Sequence, residues 1–133
     1  MSAGHRTVGQ MSVTTRAGIE ELKTRTKVFA VNVIRFVGAL PRARTADVIG
    51  RQLLRCGTSV GANYRAACLA RSKADFVAKL GIVAEEADEA RYWVELLVES
   101  GMCTEDRTAD LMREAAELTS IVLASIKTAR GIK

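Results

Sequence analysis

The chain has 133 residues, enough for one domain with a real core, and its 48% hydrophobic and 26% charged content is ordinary for a water-soluble protein. One proline and 5% aromatics favour helices over a strand-rich sandwich; no run of 18 apolar residues is present to span a membrane, and the opening MSAGHRTVGQ has no apolar secretion segment, so the expected location is the cytoplasm. The net charge of +5 hides an asymmetry: residues 1–80 hold 14 Lys/Arg and 4 Asp/Glu, a balance of +10, while residues 81–133 hold 6 and 11, a balance of −5.

That asymmetry fits a basic half that meets nucleic acid. It fits equally well two halves that pair with each other, within or between subunits. Cys56, Cys68 and Cys103 are odd in number and share no CxxC spacing, which predicts free thiols in a reducing compartment. His5 is the single histidine, so a zinc site, a histidine-based triad or a Glu-x-x-His di-iron centre lacks material, and no cofactor is expected.

Residues 1–18 mix Gly, Ser, Thr and Arg without periodicity and read as a disordered or loosely attached tail; residues 19–130 read as one domain. Helix one is predicted from Ile19 to Leu40. Phe29, Val33, Phe36 and Leu40 form its buried stripe with Val37 beside it, and Glu20 and Glu21 occupy the first turn, where the helix dipole favours negative charge. Lys23, Arg25, Lys27 and Arg35 decorate its outside. Pro41 ends it.

The connection through Thr45 is short, so helix two returns antiparallel, from Thr45 or Ala46 to about Leu69. At 100° per residue, Ile49, Leu53, Cys56, Val60, Tyr64 and Ala67 share one face, and Gly50, Gly57 and Gly61 line its edge next to Leu54. Glycine inside a helix costs roughly 1 kcal/mol against alanine, so three on one seam imply a partner helix that approaches closely. Arg51, Arg55 and Arg65 fall together on the opposite face. Ser59 and Asn63 are expected to hydrogen-bond across the bundle or a subunit contact, and Tyr64 to bury its ring with the hydroxyl at a rim.

Ser72 with Asp75 is a capping pattern that starts helix three. Phe76, Leu80, Val83, Ala87, Ala90, Val94 and Leu97 repeat as a core stripe. A second apolar set, Ile82, Tyr92, Trp93 and Leu96, lies on another side beside Glu85 and Glu89; it reads either as a buried subunit interface or as a widened core stripe. Gly101 closes helix three, and Thr104 is expected to cap helix four with Glu105 and Asp106 in its first turn. Leu111, Ala115, Leu118, Val122 and Ser125 continue a heptad-like stripe to about Ala129. The prediction is an all-α, antiparallel up-down-up-down four-helix bundle.

The string QLLRCGTSVGANYR (52–65) resembles the signature of the small four-helix-bundle proteins first known from intervening sequences in 23S ribosomal RNA genes. The same superfamily holds the accessory protein that works with reverse transcriptase in diversity-generating retroelements. The similarity runs through Leu40-Pro41, DFVAKLGIVAEEADEARYWVELL (75–97) and, weakly, KTAR (127–130). It implies a homo-oligomer, a pentameric ring in characterised members, and a reverse transcriptase as a partner in one setting. Where the family commonly reads YREA, this chain has Tyr64-Arg65-Ala66-Ala67, which removes an acid and leaves the region more positive.

The candidate chemistry is of two kinds. Glu86-x-x-Glu89 and Glu114-x-x-Glu117 resemble the acid pairs by which all-helical nucleotide pyrophosphohydrolases hold magnesium; on the wheel Asp110, Glu114 and Glu117 flank the core, and a solvated or salt-bridging face is the better account, with no metal or catalytic residue assigned. Cys56 lies on the apolar face and reads as core. Arg42, Arg44, Arg51, Arg55 and Arg65, with Arg71, Lys73 and Lys79 nearby, are candidate phosphate contacts, without an aromatic run for base stacking. The preferred reading is a non-enzymatic scaffold that associates with RNA or DNA. The alternative is a purely structural interaction module whose arginines bind an acidic protein, and the magnesium-dependent hydrolase is a distant third.

Overall fold

The computed structural model describes residues 15–131, in four helices: α1 (Arg16–Gly38), α2 (Arg44–Cys68), α3 (Lys73–Glu99) and α4 (Ala109–Ala129), with a 3-10 turn at Glu105–Arg107 before α4. Short connections make each helix antiparallel to the one before it. The result is the expected all-α bundle. α2 packs against α1 and α3, α3 also against α4, and α1 meets α4 more lightly, so α1 and α3 are diagonal.

The heptad positions supply the core. Leu22, Phe29 and Val33 of α1 meet Leu53, Cys56, Val60 and Tyr64 of α2, with Leu80, Val83, Val94 and Leu97 of α3 and Leu118, Ile121 and Val122 of α4. Phe36, Val37, Leu40 and Phe76 pack at its edges.

Several boundaries differ from the sequence-based expectation, each for a local reason. α1 begins at Arg16, not Ile19, because the Thr15 hydroxyl accepts a 3.0 Å bond from the Gly18 amide. The assignment of a tail to residues 1–18 therefore fails for 16–18, and residues 1–14 lie outside the described residues. Glu20 and Glu21 consequently fall in the second turn, and the first turn of α1 holds no acid. Thr104 does not cap helix four. It precedes the 3-10 turn, and α4 starts after Thr108, whose buried hydroxyl donates to the Glu105 carbonyl at 2.8 Å. Ser72 does cap α3, accepting from the Asp75 amide at 3.0 Å. At the far end Gly101 adopts φ +83°, and the Met102 and Gly101 amides reach back to the Leu97 and Val98 carbonyls, a left-handed closure that favours glycine.

The α2 glycines all face α1. A Cβ on Gly57 would lie 2.8 Å from both Val33 methyls; on Gly61, 3.1 Å from the Thr26 hydroxyl; on Gly50, 3.2 Å from Val37. Absent side chains let the two backbones close over a continuous apolar seam, and that contact offsets the cost of glycine in the helix. Beside it, Arg25 bridges α1 to α4: its Nε and Nη2 donate to Glu114 at 3.0 and 2.6 Å, and Nη2 also reaches Glu117 at 3.0 Å. The Glu114 hydrogen bond, opposed by burial, raises the Arg25 pKa.

Two predictions follow from this packing. Gly57→Ala should destabilise the fold by about 1–3 kcal/mol through overpacking, whereas Gly81→Ala, with nothing within 4 Å of the added carbon, should stabilise it by about 0.5–1 kcal/mol; urea denaturation reads both. Arg25→Ala leaves two half-buried carboxylates without their donor and should cost about 1–3 kcal/mol in the same assay.

Candidate nucleic-acid interface

The α1–α2 register fixed by the glycine seam determines which cations become neighbours. At the Gly61–Thr26 contact, Arg65 joins Lys23 and Lys27 around an open groove of about 440 Å³, with Thr24, Thr58 and one acid, Glu20, on its walls. At the other end of the seam, Arg42 and Arg51 border a second groove of about 350 Å³ over Val37, Leu40 and Leu54, with Asp47 on its rim. Arg51 and Arg65 are separated by 14 positions of α2, about 21 Å along its axis. Arg44 opens α2 near Arg42. These four arginines are exposed and, among the described residues, have no ion-pair partner.

Arg55 is different. It does not share the outward face with Arg51 and Arg65 but turns to α3, where its Nη1 contacts Glu86 at 3.5 Å and its Nη2 pairs with Glu89. Trp93 donates its indole N–H to the same Glu89 at 3.1 Å. An acid pair spaced one turn apart on α3 thus neutralises the cation that the wheel placed in solvent. Lys79 is likewise taken up by Asp75 at 2.6 Å.

Lys23 and Lys27 join the grooves although the sequence places them only as decoration on helix one. Their signal was the register: residues of α1 and α2 that touch have numbers summing to about 87–90, as 26 with 61 and 33 with 57 do. That register puts Lys27 near Ala62, one residue from Gly61 and three from Arg65. Lys23 also has a weak 3.5 Å pair with Glu20 on its own helix.

Other polar residues of α2 act locally. Ser59 and Asn63 do not reach across the bundle: Ser59 donates to the Cys56 carbonyl at 3.0 Å and Asn63 to the Ser59 carbonyl at 2.9 Å. The Tyr64 hydroxyl is not at a rim; it is fully buried, and burial together with the neighbouring Cys68 thiol raises its pKa. The second apolar set of α3 divides. Trp93 packs against the core, Leu96 is half-buried, and Ile82 and Tyr92 are exposed.

The model of the 23S rRNA-intervening sequence protein family matches residues 21–124. The chain belongs to that family. It is also similar to the crystal structure of a protein of unknown function from the S23 ribosomal protein family of Bacteroides thetaiotaomicron, at 34% identity and a TM-score of 0.76, over 81% of this chain and 96% of that one. No curated protein matches it.

The chain also brings the Cys56 thiol and the carboxylates of Glu86 and Glu89 within 4.8 Å of one another. As a ligand set for a cation the trio fits poorly. Arg55 already supplies the positive charge to both carboxylates, and burial, then Glu89 and Glu86, push the Cys56 pKa up to about 12. The thiol stays protonated at neutral pH, and it donates to the Leu53 carbonyl at 3.5 Å. The other acid pair is held by Arg25. Among the described residues, no helix is long and apolar enough to cross a membrane.

Cys56 should accordingly resist a thiol-disulfide reagent at neutral pH in the native protein, while Cys68 and Cys103 react; denaturant should release the third equivalent.

Proposed function

We propose that this protein is a non-enzymatic, cytoplasmic, homo-oligomeric scaffold that associates with RNA or DNA through the basic α1–α2 seam. The observation that carries the reading is the division of its arginines. Arg25 and Arg55 are bound by carboxylates, whereas among the described residues Arg42, Arg44, Arg51 and Arg65 are exposed and without acid partners, with Lys23 and Lys27 beside Arg65. Cations left in solvent along some 21 Å of one seam suit a phosphate backbone, which gives affinity without sequence readout. The one half-exposed aromatic ring, Tyr92, belongs to α3, away from the seam, so base stacking has no part in the reading.

The non-catalytic half of the proposal is supported by the acid pairs: each carries an arginine where a magnesium-dependent hydrolase would need a free site for the ion. A reverse transcriptase as partner comes from the family resemblance. The rival reading, a module that binds an acidic protein, uses the same arginines and is separated by the ligand.

Binding of labelled single-stranded RNA and duplex DNA, titrated at rising salt, tests this. Affinity should fall linearly on a log–log plot of binding constant against salt. Arg51→Gln with Arg65→Gln should weaken binding about tenfold or more at low salt and flatten that slope by about two phosphate contacts. Arg55→Gln should change it little. No binding at low salt to either nucleic acid, with retained binding to a polyglutamate chain, would favour the protein-partner reading.

A further inference from the structure

The closing KTAR string (127–130) and the connection between α2 and α3 hold cations that the α1–α2 seam does not use. The antiparallel order brings the start of α3 and the end of α4 to the same end of the bundle as the end of α2. There Lys73 and Arg130 stand at the rim of an open groove of about 530 Å³, floored by Ala74, Val77 and Ala78. Lys127 lies one turn before Arg130 on α4, and Arg71 lies in the loop that leaves α2. All four are exposed and, among the described residues, have no ion-pair partner. Asp75, the acid in the first turn of α3, is already held by Lys79 at 2.6 Å.

The seam's cluster of Lys23, Lys27 and Arg65 sits toward this same end. Arg65 precedes Cys68, the last residue of α2, by about 5 Å of helix axis. One groove is lined by α1 and α2 and the other by α3 and α4, and these pairs form opposite sides of the bundle. The two basic grooves are therefore back to back. The way from one to the other passes over the end, across Leu69 and Arg71 of the α2–α3 connection, where Leu69 is 81% exposed.

A polymer that follows this way must double back on itself. Packed helices lie about 10 Å apart, which is roughly three base pairs at about 3.4 Å each. A duplex, stiff over about 150 base pairs, does not reverse in that length. A single strand does. Its unpaired bases can also lie on apolar surface, and Leu69 with the Ala74, Val77 and Ala78 floor supplies it; a duplex keeps its bases stacked inside.

We propose that the nucleic acid held by this protein is single-stranded, its phosphates running from Arg65 past Arg71 into the groove between Lys73 and Arg130 on the far side of the bundle. This rests on the polyanion reading above; it names the class of polymer and adds a second contact surface. Arg42, Arg44 and Arg51 extend the path along the seam in the other direction.

Fluorescence anisotropy with the full chain tests the route, using a labelled oligouridine of about 20 nucleotides and a DNA duplex of the same length, each titrated at rising salt. The wild type should bind the single strand more tightly than the duplex. Arg71→Gln with Lys73→Gln and Arg130→Gln should weaken single-strand binding about tenfold at low salt and lower the log–log salt slope by about 2, three contacts at about 0.7 each. Duplex affinity and helical circular dichroism should stay as in the wild type. Arg51→Gln with Arg65→Gln should weaken both polymers. Equal affinity for the two polymers, or an end variant that binds the single strand like wild type, would remove the route and leave the seam standing. A wild type that binds neither polymer at low salt would remove the polyanion reading itself, and the route with it.

Discussion

Everything in this bundle that bears on function depends on how closely α2 lies on α1. Three glycines on α2 remove the side chains that would hold the helices apart, and Val33, Thr26 and Val37 fill the space. A close contact of this kind also fixes a register, since Val33 fills the notch at Gly57, where an added carbon would lie 2.8 Å from both its methyls. From that register comes the neighbourhood of Lys27 with Arg65 and of Arg42 with Arg51. The basic seam is a by-product of packing: the residues that make it are not adjacent in sequence, and only the glycine contact puts them on one line.

Acids then decide which cations stay free. The carboxylates of α3 and α4 are concentrated in the second half of the chain, but they do not neutralise the first half uniformly. Glu114 and Glu117 capture Arg25, and Glu86 and Glu89 capture Arg55. Both captures join neighbouring helices, α1 to α4 and α2 to α3. The arginines of the seam face away from α3 and α4 and find no acid there. Charge pairing therefore closes the bundle on two sides and leaves the third side positive.

The fold was legible because its signals are periodic and local. A seven-residue repeat over Leu80, Val83, Ala87, Ala90, Val94 and Leu97 specifies a buried helical stripe whatever lies around it, and each of these residues is buried. Pro41, Ser72 and Gly101 punctuate it by rules that involve only near neighbours. The misplaced start of α1 followed from the lack of periodicity at residues 16–18; the Thr15 hydroxyl was a readable cap that lay just outside the apolar pattern. The candidate site was half legible. A wheel gives the direction of a Cβ, but an arginine side chain extends well beyond it, and Arg55 uses that reach to meet Glu86 and Glu89 of α3. Ser59 and Asn63 show the opposite limit: short polar side chains in a helix find the carbonyl one turn back before they find another helix.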